Sequence, residues 1–415
     1  MSDAPPSVGW RSWRMLLVAA GAGMVFYLDR QSIAILKSTI SDALSLTNTD
    51  FALLITAYMV PYTAFYFFSG RLIDHWGTRH ATTVFLVGMG LATLGCALAR
   101  NLPEMIAARG LLGLAESGIS PSIILMMTLW FPSARRAFAT TVCQAIQAIA
   151  PVLAPPVLVW LALRGDWRWS FALPAGLSIG VALLWWSCDR NPPLRKPNSA
   201  NRSPSPSLGL AASIRHVFTI PALRGLILAR ILSDPFYFFL NNWHTGFLQE
   251  HGGWSLAEVG RWTWIPWAFV PLANIGVAVW SDRQTKRTGD AAGARARTLR
   301  LLACLAPAAA LAPFVAHQGP LVLALVTLSL LMTSCWIALS GVMVGELAPP
   351  GTIATTIGIL SALSGVTSIA FNQIAGTLID HLGYTSLFVS GACLHPLAAL
   401  VLWKTRHTAI RPAYA

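Results

Sequence analysis

Residues 70–79 read Gly-Arg-Leu-Ile-Asp-His-Trp-Gly-Thr-Arg and separate two long apolar stretches of the chain. A related charged stretch, Trp-Ser-Asp-Arg-Gln-Thr-Lys-Arg at 280–287, follows another apolar stretch in the second half. The aspartates of the two stretches, Asp74 and Asp282, are 208 residues apart, which is half of the 415-residue chain. This spacing predicts an internal repeat, so that the chain consists of two similar halves.

The composition around these stretches is that of a membrane protein. Hydrophobic residues make up 55% of the chain, charged residues only 11%, and the mean hydropathy is +0.59. Soluble domains carry about a quarter charged residues. The composition therefore excludes a soluble enzyme and a soluble nucleic-acid-binding protein.

The apolar stretches have the length of membrane spans, since a helix needs about 20 apolar residues to cross a bilayer. Twelve such stretches predict an all-α integral membrane protein with 12 transmembrane helices. They lie at 15–35, 51–72, 81–99, 105–127, 139–161, 171–186, 221–247, 259–280, 299–316, 321–347, 356–379 and 387–403. Residues 188–216 are rich in Pro, Ser and Asn and predict a cytoplasmic linker. The linker would join an N-terminal six-helix bundle at 1–187 to a C-terminal six-helix bundle at 217–415.

The net charge of +13 is explained by topology rather than by an acidic partner. Of the 29 Lys and Arg residues, 21 fall in the loops that twelve spans would place on the side of the termini, and only 5 fall on the other side. Basic residues concentrate in cytoplasmic loops. We therefore expect both termini to be cytoplasmic.

The stretch at 70–79 resembles the signature of the major facilitator superfamily, G-x-x-x-D-x-x-G-x-R, which is met at Gly70, Asp74, Gly77 and Arg79. The second copy is degraded, with Ala278 where a glycine is expected before Asp282 and Arg283. The resemblance implies two bundles around a central cavity and secondary transport by alternating access. It also implies a bacterial inner (plasma) membrane location and function as a monomer.

A narrower resemblance involves four short motifs, Tyr-Leu-Asp-Arg at 27–30, Arg-x6-Glu at 109–116, Trp-Phe-Pro at 130–132 and Trp-Arg-Trp-x-Phe at 167–171. Together they are similar to the anion:cation symporter branch, which includes proton-coupled galactonate and hexuronate transporters. In this branch a run of aromatic residues is expected after the Asp-Pro pair of span seven, which lies here at 234–235. The run is interrupted by Asn-Asn-Trp-His at 241–244. The branch implies uptake of a sugar acid, and the interruption leaves its identity open.

Four ionisable residues lie inside the spans of the first half, namely Asp29, Arg30, Arg109 and Glu116. Each costs about 2.5–3.5 kcal/mol at the bilayer centre on insertion scales, so such residues usually mark a transport pathway. Their charges sum to zero; a bound carboxylate makes the sum −1, and an added proton restores it. We hypothesise that only near-neutral states reorient, which gives one-to-one symport of proton and anion. The alternative is a set of buried salt bridges that fixes helix packing.

The roles of these residues follow from the resemblance. Arg30 is expected to bind the substrate carboxylate, as the bidentate guanidinium suits. Asp29 and Glu116 are expected to be the proton-coupling acids, and Arg109 to pair with one of them. Tyr62 and Gln147 match positions that bind sugar-acid hydroxyls in the family, with helix packing as the alternative. Tyr27 and Tyr58 are further candidates, for which packing is the favoured role.

In the second half, the candidate substrate-binding residues are polar rather than charged. Asn241, Asn242, Ser361 and Asn372 are expected either to line the cavity or to link helices, because amides in lipid prefer polar partners. The roles of three further residues are left open. The spacing of four residues between Arg230 and Asp234 favours an intrahelical ion pair over a substrate contact. His244 is a candidate titrating group.

Other functions remain as alternatives. One is import of a different carboxylate, such as an aromatic or tricarballylate-type acid, and another is drug/proton antiport. A membrane-embedded enzyme is disfavoured because the nine His are dispersed and no metal-binding spacing occurs. We therefore expect no enzymatic activity, no metal, no cofactor and no nucleic acid partner; the expected partners are the organic anion, protons and the lipid bilayer.

Overall fold

The computed structural model describes residues 9–190, 192–193, 215, 217–349 and 352–405, and these are almost entirely helical. The helices in chain order are α1 (Trp10–Ile35), α2 (Lys37–Leu44), α3 (Asn48–Leu98), α4 (Leu102–Glu116), α5 (Ile119–Trp130), α6 (Ser133–Gln147), α7 (Ile149–Arg164), α8 (Trp169–Cys188), α9 (Pro221–Gly246), α10 (Leu256–Trp262), α11 (Trp264–Thr288), α12 (Ala291–Ala303), α13 (Gly319–Leu347) and α14 (Ile353–Thr405). A π-helix at Phe247–His251 follows α9, and a 3-10 helix at Ala306–Val315 follows α12. The predicted linker at 188–216 lies largely outside the described residues.

The chain folds into two compact units. The first contains α1–α8 together with the segment Ser255–Trp264, and the second contains α9 and the helices from Ile265 onward. Helix α10, in the segment 255–264, packs on α7 within the first unit. Gly260 permits this approach, because a Cβ atom there would lie 2.7 Å from the Val159 side chain.

Twelve membrane spans account for the described helices. Eight helical segments are long and apolar enough to cross a bilayer, and some of them combine two consecutive helices, such as α4 with α5 and α6 with α7. A ninth span results when the bent pair α2 and Asn48–Tyr66 is counted as one. Helix α14 contains two spans joined at a turn, which adds one more. The remaining two are α1 and α9, whose apolar faces are interrupted by charged residues. The all-α membrane fold predicted from the sequence is thus confirmed.

Two long helices, α3 and α14, each reverse direction at a glycine. Gly77 has φ 77° and ψ 161°, and Gly383 has φ 71° and ψ 179°. Residues other than glycine rarely adopt positive φ, because the Cβ atom then crowds the backbone. Both turns carry the sequence Asp-His-x-Gly, at 74–77 and 380–383.

Small residues bring α4 close to both arms of α3. A Cβ atom added at Gly113 would collide with the backbone carbonyl oxygen of Tyr58, whereas Gly95 faces Ala108 at 3.3 Å. Small residues at helix contacts are typical of membrane proteins because they let backbones approach. This close packing places the charged residues of α4 against the polar residues of α3.

Candidate functional site

The four predicted intramembrane charges lie in the first unit, on two helices. Helix α1 carries Asp29 and Arg30, and α4 carries Arg109 and Glu116. Asp29 and Glu116 are fully buried and Arg109 is 3% exposed, while Arg30 is half-buried. A buried charge is stable only when polar groups surround it, so the neighbours of each residue decide what the site can do.

Asp29 contacts the second arm of α3. The hydroxyl of Thr93 donates a hydrogen bond to its Oδ2 atom. The other carboxylate oxygen, Oδ1, has no hydrogen-bond partner among the described residues. Asp29 therefore retains one free oxygen, which can hold a proton.

Arg30 is surrounded by aromatic rings instead of carboxylates. Its Cζ atom lies 5.1 Å from the ring centre of Phe26 and 5.3 Å from those of Tyr58 and Tyr62. A cation over an aromatic face is stabilised by the ring quadrupole. Within the described part of the chain Arg30 forms no salt bridge, so its guanidinium can receive an anion.

Arg109 is arranged differently from the sequence expectation that it pairs with an acid. Its Cζ atom lies 4.6 Å above the ring centre of Tyr58. Its Nε and Nη1 atoms have no hydrogen-bond partner among the residues that the structure describes.

Glu116 is held by a tyrosine of the neighbouring helix. The Tyr58 hydroxyl donates a hydrogen bond to Oε2 of Glu116, while Oε1 has no partner in the described ranges. Tyr58 thus contacts the charged cluster directly, although the sequence favours a packing role for it. Its spacing of four residues from Tyr62, which places both on one helix face, is the signal that indicates it.

The predicted hydroxyl-binding residues lie on the same side of α1 as Arg30. The carboxamide of Gln147 packs against Gly23, and its Nε2 atom donates to Sγ of Cys143 at 3.2 Å. Gly23, Tyr27 and Arg30 share one helix face by their spacing, and Tyr27 is 39% exposed. Gln147, Tyr27, Tyr62 and Arg30 therefore form one polar patch along α1.

The amides predicted in the second half mostly bind their own helices. Asn241 and Asn242 donate to the backbone oxygens of Tyr237 and Phe238, at 2.9 and 2.8 Å. The side-chain oxygens of Asn241 and Asn242 therefore remain available as hydrogen-bond acceptors. Ser361, another polar candidate of the second half, is exposed.

Asn372 is fully buried and links two helices of the second unit. Its Oδ1 atom accepts a hydrogen bond of 2.9 Å from the Trp243 indole, and its Nδ2 atom donates to the Ser368 carbonyl oxygen. The adjacent His244 is also buried, with Nδ1 at 2.8 Å from the Leu240 carbonyl oxygen. Of the two roles that the sequence left open for Asn372, linking α9 to α14 is the one these contacts describe.

The structure contains the predicted ion pair between Arg230 and Asp234. Arg230 Nη2 lies 2.6 Å from Asp234 Oδ2. Two serines complete the cluster, Ser340 bonded to Arg230 at 3.2 Å and Ser364 donating to Asp234. Both charges are therefore satisfied by neighbours of the second unit.

The signature residues of the first unit lie at a helix turn. Gly70 and Gly77 flank Asp74, an exposed residue, and Arg79 donates from Nε to the Trp186 carbonyl oxygen at 2.9 Å. The Arg79 guanidinium also lies 4.0 Å from the Trp186 ring centre.

The end of α8 is fixed by an adjacent buried carboxylate. Asp189 accepts hydrogen bonds from Thr78 at 2.5 Å and from the Trp130 indole at 3.0 Å. The tryptophan of the Trp-Phe-Pro motif thus has a direct role, since it anchors the end of α8 to the end of α5.

The aspartate of the degraded second copy of the signature also forms a salt bridge with a neighbouring helix. Asp282 accepts a hydrogen bond from Arg295 at 2.7 Å, and Arg295 also lies 3.1 Å from Glu346. Arg283 is exposed. One arginine therefore joins α11, α12 and α13.

Within the described residues, no group of three or more His, Cys, Asp or Glu side chains is arranged to hold a metal ion. The donors of the charged cluster are two carboxylates and two guanidiniums. This set suits protons and a small anion better than a metal.

Comparison with known proteins gives a consistent result. The family model described as Major Facilitator Superfamily matches residues 19–340. The Hexuronate transporter of Escherichia coli K12 is 24% identical over 412 residues, covering 94% of this chain and 93% of that protein. The Galacturonate transporter of Dickeya chrysanthemi is 27% identical over 273 residues, covering 63% of this chain and 79% of that protein.

Solved structures agree on the fold. A bacterial homologue of the human lysosomal transporter Spinster, in an inward-facing and unoccupied conformation, superposes with a TM-score of 0.78 at 18% identity. The alignment covers 98% of this chain and 100% of that one. A D-xylose-proton symporter superposes with a TM-score of 0.75 at 14% identity, covering 94% of this chain and 97% of that one.

Proposed function

Since this chain belongs to the Major Facilitator Superfamily, we propose that it is a secondary active transporter that takes up a small organic anion together with a proton. The preferred substrate class is a sugar acid, either an aldonate or a hexuronate. Uptake proceeds by alternating access in a bacterial inner membrane, with both termini in the cytoplasm and the monomer as the working unit. The family and the relatives are transporters, in agreement with the expectation that the chain is not an enzyme.

The observation that carries the proposal is a cation without a salt bridge beside two buried acids with free oxygens. Among the described residues, Arg30 forms no salt bridge, and Asp29 and Glu116 each keep one oxygen without a hydrogen-bond partner. A substrate carboxylate satisfies the guanidinium with two parallel hydrogen bonds. A proton on Glu116 or Asp29 then removes the excess negative charge.

The cost of a buried net charge favours joint movement of the anion and the proton. A net charge sealed away from water is costly in a low-dielectric interior. The empty cluster and the cluster with both anion and proton are neutral, whereas each singly loaded state carries one net charge. Only the two neutral states reorient easily, and this coupling is symport.

The sugar-acid class is supported by two independent observations. Relatives named for hexuronate, galacturonate and D-galactonate transport align with this chain, two of them over nearly its whole length. The polar patch around Arg30 also offers tyrosine hydroxyls and a carboxamide, which suit a polyhydroxylated anion. Hydrogen bonds to hydroxyl groups give strong discrimination against analogues that lack them.

A different carboxylate is the second candidate. Relatives named as a probable sulfoacetate transporter and a putative tartrate transporter are 25% and 26% identical over 288 residues. Small dianions of this kind would add a further negative charge to the cluster. They therefore require either a second proton or a second cation.

Uptake by the purified protein in proteoliposomes tests the proposal. Labelled D-galacturonate should accumulate inside vesicles with an acidic exterior and should equilibrate without accumulation when the pH is equal on both sides. Counterflow against internal unlabelled substrate serves as the control for substrate recognition alone. Accumulation that is indifferent to the proton gradient would overturn the symport, and absence of counterflow with galacturonate, galactonate and tartrate would overturn the organic-anion substrate class.

A further inference from the structure

Tyr58 occupies the centre of the charged cluster and touches three of its members. Its hydroxyl donates to Glu116, and its ring lies 4.6 Å from Cζ of Arg109 and 5.3 Å from Cζ of Arg30. The residue is only 3% exposed. A single side chain therefore contacts the proposed anion-binding cation, the second cation and a proposed proton-accepting acid.

The position of Tyr58 is fixed by the backbone. Gly113, on the face of α4 that meets α3, has space for no side chain, because a Cβ atom would collide with the Tyr58 carbonyl oxygen. Tyr62 stacks on Tyr58 with ring centres 5.7 Å apart and an interplanar angle of 21°. The phenol ring is thus held between two helices and a neighbouring ring, which keeps its hydroxyl at Glu116.

The ring also lies close to two like charges. Arg30 and Arg109 both lie against the Tyr58 ring, so that its π-electrons attract each guanidinium. An aliphatic side chain in this place would leave the two cations with less compensation. The cluster therefore needs an aromatic ring at position 58, and the hydroxyl adds a separate function.

We propose that Tyr58 is a positioning residue that couples the proton on Glu116 to the anion on Arg30, an inference that rests on the proposed function. While Glu116 is ionised, the Tyr58 hydroxyl donates its hydrogen to the carboxylate. When Glu116 gains a proton from water, its own O–H donates to the phenol oxygen. The Tyr58 hydrogen is then free for the substrate carboxylate bound at Arg30.

No covalent bond changes in this sequence, and Tyr58 keeps one proton throughout. Protonation of Glu116 turns the phenol from a donor toward the acid into a donor toward the substrate. A charge-assisted hydrogen bond is thereby added to the anion only in the protonated state. Because binding linkage is reciprocal, the bound anion favours protonation of Glu116 to the same extent.

The test is the pH dependence of anion binding to the purified full-length protein. D-galacturonate is titrated calorimetrically into the wild type and into Tyr58→Phe, which keeps the ring and its contacts with both arginines. We expect the wild type to bind about ten-fold more tightly at pH 6 than at pH 8, which lies within the usual range of coupling energies. In Tyr58→Phe this ratio should fall at least about three-fold, because the hydrogen bond from the hydroxyl to the anion is lost and only the charge interaction between the two sites remains.

Tyr66→Phe is the matched control. Tyr66 lies two turns further along the same helix face, with its ring centre 5.8 Å from that of Tyr62 and the two rings tilted by 48°, but it is exposed. Its variant should keep the wild-type ratio of affinities. A Tyr58→Phe protein with the wild-type ratio would contradict the inference and leave the proposed symport intact.

A double mutant shows whether Tyr58 acts through Glu116. Glu116→Gln should remove the pH dependence of galacturonate affinity, and Tyr58→Phe in that background should cause no further change in the ratio. An additional change in the double mutant would overturn the coupling role. A wild type that binds neither galacturonate nor galactonate at either pH would overturn the proposed substrate class, and the inference with it.

A spectroscopic readout keeps the inference testable if one variant folds poorly. The infrared difference band of the protonated Glu116 carboxyl group is assigned by its loss in Glu116→Gln. We expect it to shift in Tyr58→Phe, because the hydrogen bond to the phenol is gone, and to stay in place in Tyr66→Phe. An unshifted band in Tyr58→Phe would contradict the inference.

Discussion

At the scale of single residues, Arg30 shows how an unpaired cation is kept inside a membrane protein. Three aromatic rings surround its guanidinium, and the described residues place no acid in contact with it. The rings supply modest stabilisation, about 0.5–2 kcal/mol each. A carboxylate competes easily with this, so the site favours anion binding without closing itself by an internal salt bridge.

Substitution of Arg30 by lysine tests the geometry of that binding. Lysine keeps the charge but cannot form two parallel hydrogen bonds to a carboxylate. We expect galacturonate affinity in Arg30→Lys to fall about ten- to a hundred-fold, which corresponds to the loss of a hydrogen bond between charged groups. Isothermal titration measures the affinity, and an unchanged value would contradict the role of Arg30.

Substitution of Glu116 by glutamine tests the coupling acid. Glutamine is nearly isosteric and can still accept the Tyr58 hydrogen bond, but it cannot gain or release a proton. We expect Glu116→Gln to lose gradient-driven accumulation while exchange of labelled for unlabelled substrate continues. Accumulation at the wild-type level in proteoliposomes would show that another group carries the proton, and Asp29 is then the next candidate.

The sequence could indicate the charges of this site but not their partners. Asp29, Arg30, Arg109 and Glu116 stand out because each interrupts an apolar run. Thr93 does not stand out, since a threonine in a span is common and its partner lies on another helix. Tyr58 is visible only through its spacing from Tyr62, which does not identify Glu116 as its partner. That Arg109 lies on a ring rather than against an acid also depends on helix packing, which no local pattern specifies.

At the scale of elements, the contact between α3 and α4 depends on residue size. Gly110 and Gly113 both face α3, but they differ in the space around them. A Cβ atom at Gly110 would lie 3.6 Å from the Ala57 carbonyl oxygen, an ordinary contact. At Gly113 it would collide with the carbonyl oxygen of Tyr58, which is backbone and cannot rotate away.

This difference gives a matched pair of variants. We expect Gly110→Ala to keep or slightly raise the melting temperature, because alanine is the better helix former by about 1 kcal/mol. Gly113→Ala should cost about 1–3 kcal/mol, as overpacking does, and should weaken galacturonate binding because Tyr58 moves. Equal melting temperatures and affinities for the two variants would contradict the proposed close packing.

Element boundaries were less predictable than element existence. The sequence predicts single spans at 105–127 and 139–161, yet the structure divides each into two helices, α4 with α5 and α6 with α7. Hydropathy averaged over a whole span does not reveal a local break in the helix, even in the span that contains Arg109 and Glu116. The glycine turn at Gly77 was predictable, because the signature requires a residue that tolerates positive φ.

At the scale of the whole molecule, the amino-acid composition is the main indication of the fold class. A chain with so few charges has to bury its surface in lipid, and twelve spans follow from counting apolar stretches. The membership in the superfamily expected from residues 70–79 is confirmed by the family model. The substrate is not specified at this scale, because one fold serves many transported compounds.

Ligand stabilisation of the whole protein gives a global test. A ligand that binds only the folded state raises stability by RT ln(1 + [L]/Kd), about 2.7 kcal/mol at a hundred-fold excess over Kd. We expect galacturonate to raise the melting temperature more at pH 6 than at pH 8, because proton and anion bind together. A shift that is equal at both pH values would argue for anion binding without proton linkage.

The two glycine turns at 74–77 and 380–383 bear on the ancestry of the chain. Their aspartates are 306 residues apart, about three quarters of the length, and the predicted topology puts the turns on opposite sides of the membrane. A repeat of whole halves cannot produce that offset, but a three-helix unit of about one quarter of the chain, present in both orientations, does. The two turns are thus spaced as equivalent positions of the first and last three-helix units would be, in opposite orientations.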